Sequence, residues 1–117
     1  MSDYPKANDA IQLREHLNAA ISVRKRILWD GDYPEYPGEI GELMRYISTS
    51  LWCNHQYKPT EVRGILTRLE SADLDEIRSV LTAISRSERF CTGAWKSALD
   101  NGKLDPVVRR AEQLTKA

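Results

Sequence analysis

Residues 73–102 read D-L-D-E-I-R-S-V-L-T-A-I-S-R-S-E-R-F-C-T-G-A-W-K-S-A-L-D-N-G, and this stretch decides the fold class. Asp73 can accept a hydrogen bond from a free amide of a first helical turn, and Glu76 follows three residues on, the spacing of a capping box. Leu74, Ile77, Val80, Leu81 and Ile84 then recur at steps of three and four, which places them on one side of a helix running to about residue 87. A short helix over residues 92–100 follows. It stops at Asn101-Gly102, where glycine tolerates the left-handed conformation of a helix end.

The same periodicity extends in both directions. Toward the N-terminus, Leu13, Leu17, Ala20, Ile21, Arg24 and Leu28 form one stripe of a long helix over residues 8–29, with Asn8 or Asp9 as its cap and residues 1–8 as a flexible tail. Arg24, Lys25 and Arg26 fall where cations complement the negative end of the helix dipole. Residues 30–38, D-G-D-Y-P-E-Y-P-G, hold two glycines and two prolines and predict a loop. Tyr33 and Tyr36 each precede a proline, which biases both toward extended backbone. Their rings either lie over the core like a strap or offer themselves to a partner.

Ile40, Leu43, Met44, Ile47 and Leu51 predict a second helix over residues 39–52, followed by the connector 53–58. Pro59 fits the first turn of a third helix, where its missing amide proton costs nothing, and Val62, Ile65, Leu66 and Leu69 are its expected buried face. Gly64 inside that helix would permit a close helix crossing. A last helix begins at Asp105-Pro106 and is expected to bury Val108, Ala111 and Leu114. No segment alternates with a period of two. The expectation is a single all-α domain of five or six helices with no sheet.

Composition excludes several function classes. The chain has 117 residues, enough for one core without metal or disulfide staples. Its 17 basic and 17 acidic residues cancel, so no whole-molecule field draws it onto nucleic acid or an anionic bilayer. No apolar run approaches the roughly 18 to 20 residues that span a membrane, and the start M-S-D-Y-P-K-A-N-D lacks the order of a signal peptide. Cys53 and Cys91 form no C-x-x-C pair, which points to reduced thiols and a cytoplasmic protein.

Candidate chemistry is sparse. His16 lies on a polar flank of the first helix, and His55 sits in W-C-N-H-Q-Y; neither has the spacing of a metal ligand set, and no cofactor-binding motif is present. A thiol–imidazole pair of His55 with Cys53 or Cys91 can be drawn, and would make a small hydrolase if the side chains met. Arg86, Glu88 and Arg89 have two competing uses. In one, an arginine clamps Glu88 or the carbonyls that end a helix, while Phe90 and Trp95 anchor the fifth helix into the core. In the other, Arg86 or Arg89 stays free for an anionic partner beside an aromatic ring.

The order from Leu81 and Thr82 through Arg86, Glu88-Arg89-Phe90, Gly93 and Gly102 resembles the bacterial domain of unknown function numbered 6508, most closely over residues 72–110. The likeness extends back through Tyr36-Pro37 to Trp52. It implies a compact helical bacterial domain and no particular activity. The residues therefore divide into candidate partner-binding groups, Arg86, Arg89, Trp95, Tyr33 and Tyr36, and a structural lock of Glu88, Phe90, Gly93 and Gly102. The leading expectation is a non-enzymatic module, accessory or inhibitory, that binds a protein partner without metal, cofactor or membrane. The alternative is a nucleotide- or single-stranded-RNA-binding module with an arginine and aromatic clamp.

Overall fold

A computed structural model describes residues 4–116, and among them six α-helices carry the fold: α1 (Ala7–Ser22), α2 (Gly38–Ile47), α3 (Pro59–Leu66), α4 (Leu74–Ser87), α5 (Ala94–Asp100) and α6 (Leu104–Thr115). The helical class is as the periodicity predicts. The stripe of α4 is almost wholly buried, and it lies at the centre, packed on α2, α3, α5 and α6, while α1 packs on α2 and α6. Asp73 and Glu76 close the expected capping box, each side chain bonding the other's backbone amide.

The expectation of no sheet is corrected. Leu28–Asp30 (β1) and Tyr33–Glu35 (β2) pair antiparallel, with Leu28 opposite Glu35 and Asp30 opposite Tyr33. Gly31 and Asp32 make a two-residue turn, and Gly31 takes the positive φ of 63° that such a turn requires at its first position. A three-residue strand is too short to show a period of two, so the hairpin escapes a pattern search. The first helix accordingly ends early. After Ser22 the chain tightens into a 3-10 turn (Arg24–Arg26), and Arg24 bonds the carbonyl of Ile21 rather than joining a buried stripe.

Three further boundaries move for local reasons. Lys6 is the N-cap residue of α1, and Asp9, three residues on, accepts from its amide at 2.8 Å, so neither Asn8 nor Asp9 is the cap. Residues 4–8 are no free tail, since Pro5 is buried and the Tyr4 ring lies 5.3 Å from the Arg78 guanidinium; residues 1–3 lie outside the described part of the chain. The second helix stops at Ile47, where Ser48 and Thr49 hydroxyls bond back to the carbonyls of Met44 and Tyr46, and the chain then turns to seat Trp52, fully buried, in the core. No helix among the described residues is long and apolar enough to cross a membrane.

The third helix departs most from expectation. Of Val62, Ile65, Leu66 and Leu69, only Ile65 is buried; the other three are half-covered. No atom outside its own helix lies within 4 Å of where a Cβ on Gly64 would stand, so no helix crosses closely there. An eight-residue helix with one fully buried side chain leaves its apolar stripe partly open.

Candidate functional site

Glu88 organises the corner between α4 and α5. The corner turns because Gly93 adopts φ +87°, and glycine is required there twice over: an added Cβ would meet the Trp29 ring at 3.0 Å. The Glu88 carboxylate accepts from the amides of Gly93 at 2.6 Å and Trp95 at 3.0 Å, so it caps α5 from outside the helix, where free amides and the positive dipole end favour an anion. The Tyr36 hydroxyl donates to the same carboxylate at 2.7 Å and receives the Lys96 amide at 3.4 Å. Burial, and then the bond to Glu88, push the Tyr36 phenol far above the ordinary tyrosine range.

The Trp95 ring packs 5.2 Å from the Tyr36 ring, and its indole N–H donates to the carbonyls of Ile84 at 3.2 Å and Ser85 at 3.3 Å. Tyr36 and Trp95 are therefore engaged in the corner. The partner that holds Glu88 is the tyrosine with two amides, where an arginine was the expected clamp. Gly102, at φ +70°, turns the chain between α5 and α6.

Phe90 does not anchor α5: its ring is 84% exposed, because Gly93 and Trp95 already secure the helix and the turn points the ring outward. It stands at one end of a cleft of about 660 Å³ between α3 and α4. One wall is the stripe of α3 that carries Pro59, Val62, Arg63 and Leu66. The other continues the α4 register through Ala83, Arg86, Ser87 and Phe90, with exposed Cys91 and Lys103 also in the lining. The floor is apolar. Its charged groups are Arg63, Arg86 and Lys103, and no carboxylate lines it.

Arg86 joins the cleft to the connector that follows α2. Its guanidinium lies 5.3 Å from the Tyr57 ring centroid, with Nη2 3.3 Å from His55 Nδ1 and 3.9 Å from Cys53 Sγ. The connector is pinned to α4 independently: the Asn54 amide donates to Thr82 Oγ1 at 2.8 Å and its side chain to Ser79 Oγ at 3.0 Å, which satisfies the two buried hydroxyls of α4. Nothing in the hydrophobic pattern signals those two bonds.

The other sequence candidates disperse. Arg89 opens to a separate depression with Met44, Arg45 and Trp95, away from Arg86, so the two arginines do not form one clamp. Tyr33, 71% exposed, stands on the hairpin with exposed Leu28 and Trp29. His16 stacks on Tyr46 at 4.7 Å. Cys53 and His55 do meet, Sγ to Nδ1 at 3.8 Å, yet the thiol is only 6% exposed and neither residue lines the α3–α4 cleft. Among the described residues, no three His, Cys, Asp or Glu side chains converge to hold a metal.

The fold and its corner define a small helical domain built on a glutamate-capped turn. Residues 32–117 match the family of unknown function DUF6508, and the chain belongs to that family. The match begins in the hairpin turn, so α1 and β1 lie outside it. No curated protein and no solved structure matches the chain.

Proposed function

We propose that this protein is a non-enzymatic binding module, accessory or inhibitory, that docks a protein partner in the cleft between α3 and α4. One observation carries the reading: an apolar groove with Phe90, the most exposed large apolar side chain among the described residues, in its lining, beside a helix whose own stripe is left half-covered. Docking sites take this form, with an aromatic anchor and aliphatic floor at the centre and charges around them. The free thiols of Cys53 and Cys91 fit a reducing, cytoplasmic setting, and the family likeness fits a bacterial source.

A nucleotide or single-stranded RNA would use the same cations with Tyr57 and Phe90 as stacking surfaces. The aliphatic floor and the neutral net charge favour the protein partner.

Selection of a random peptide library on the immobilised full chain tests the reading. Enriched peptides are expected to bind the wild type and to lose binding to Phe90→Ala and Val62→Asp, with Arg45→Ala, outside the cleft, as the control. Circular dichroism and thermal unfolding confirm that each variant is folded. Enriched peptides that bind all variants equally would sink the reading.

A further inference from the structure

We infer that the partner presents an acidic amphipathic helix, seated along the α3–α4 cleft with its apolar side on the floor and its carboxylates on the rim. The inference rests on the reading that the cleft binds protein and names what kind of protein segment fits it.

Charge is the first support. Carboxylates hold cations at several other places, Arg14 with Asp105 and Glu112, Arg68 with Glu76, Arg78 with Asp75 and Lys96 with Asp100 among them, so the cleft differs in having none in its lining rather than in having unpaired cations. The chain has as many carboxylates as basic groups, yet none lines the cleft, and Arg63, Arg86 and Lys103 hold no carboxylate partner among the described residues. Cations of one sign around an apolar lining with no carboxylate complement an acidic partner.

Backbone chemistry selects a helix over an extended strand. The apolar part of the two walls, Val62, Leu66 and Ala83, offers nothing to a peptide's amides and carbonyls, and the Thr67 and Ser87 hydroxyls beside it already donate to the carbonyls of Gly64 and Ile84. An extended segment lying on it would leave backbone groups without partners, at the cost of an unpaired buried polar group. A helix satisfies its own. The walls are themselves two helix stripes at three- and four-residue spacing, the surface against which a third helix packs ridge into groove. The α3 stripe from Pro59 to Thr67 runs roughly 12 Å at 1.5 Å per residue, so about two turns of the partner make contact.

Fluorescence anisotropy with four probes tests this against the full chain: a 14-residue helix-forming peptide with a leucine stripe and glutamate flanks, the same peptide with lysine flanks, a scrambled acidic peptide of equal charge, and a 12-nucleotide single-stranded RNA. An exposed ion pair changes affinity by a factor of about two to five, so three cations give the acidic helix about a 10-fold or greater preference over the lysine version. That preference is expected to fall with salt, to reverse in Arg63→Glu/Lys103→Glu, and to vanish with all helical binding in Phe90→Ala.

Equal binding of both helical peptides, lost in Phe90→Ala, would overturn the acidic class and leave the cleft as a protein-docking site. Binding of the scrambled peptide as tightly as the helical one would overturn the helix. Phe90-dependent binding of RNA in place of peptide, or binding of no probe together with failure of the library selection, would overturn both the inference and the proposed function.

Discussion

Removing the Glu88 carboxylate is expected to destabilise the whole domain rather than a surface turn. In Glu88→Ala the amides of Gly93 and Trp95 lose the acceptor that caps α5, and the Tyr36 hydroxyl loses its own at 2.7 Å. A lost cap costs about 1–2 kcal/mol. A hydrogen bond from a half-buried phenol to a charged group adds about 1.5 kcal/mol. The sum, about 3 kcal/mol, corresponds to a fall in Tm of roughly 10 °C for a domain of this size. Glu88→Gln keeps the shape and one acceptor oxygen and is expected to lose about half as much. Tyr36→Phe removes the bond to Glu88 and the weaker one from the Lys96 amide, and only the first is also lost in Glu88→Ala, so the double variant Tyr36→Phe/Glu88→Ala should fall short of the sum of the single effects by about 1 kcal/mol. Urea unfolding followed by tryptophan fluorescence measures all of these, with Trp95 inside the affected corner. A loss below about 0.5 kcal/mol in Glu88→Ala, or full additivity with Tyr36→Phe, would refute the assignment of Glu88 as the cap.

Other outcomes follow from the same geometry. Gly93→Ala is expected to cost about 1–3 kcal/mol, from the positive φ and the contact with Trp29, and still about 1 kcal/mol in a Trp29→Ala background, because only the contact is relieved; chemical denaturation of the four proteins separates the two. Arg14 holds Asp105 below the usual carboxylate range, chiefly through their hydrogen bond, so its stabilisation is complete at neutral pH. It is lost as pH falls from about 4 through the depressed value. Acid unfolding curves of the wild type and Arg14→Gln should therefore differ above that range and converge below it. The Tyr36 phenol binds its proton more tightly when folded, so its stabilisation is present below about pH 10 and lost as pH rises further; ultraviolet titration should show one tyrosine ionising only as the fold opens. Phe90→Ala should change unfolding stability by less than about 0.5 kcal/mol, since the ring is exposed, and a larger loss would show that it packs in the core after all.

Much of the fold is written in local patterns. The α4 stripe and its capping box, the proline opening α3 and the glycine stop at Gly102 depend on residues within one or two turns of one another, and they are readable one segment at a time, whereas Gly93, which falls inside the helix expected over residues 92–100, ends up just before α5. The hairpin is not, because three-residue strands carry no period and their pairing depends on a turn at Gly31 that also reads as simple loop. The ends of α1 and α2 escape for a related reason: the apolar spacing continues past Ser22 and Ile47, while a 3-10 turn and back-bonding hydroxyls end the helices.

The candidate site divides along the same line. The sequence by itself determined a helical domain, its family and the importance of the segment around Glu88, since charge, glycine and aromatic lie within eight residues. Only the tertiary structure decided which of those residues are engaged and which are free. Tyr36 reaches Glu88 across 52 positions and closes the corner, while Phe90 is turned outward and Arg86 is brought over Tyr57 beside α3. A residue's spacing fixes the side of the helix it occupies; whether that side meets core, another helix or solvent depends on how the helices pack.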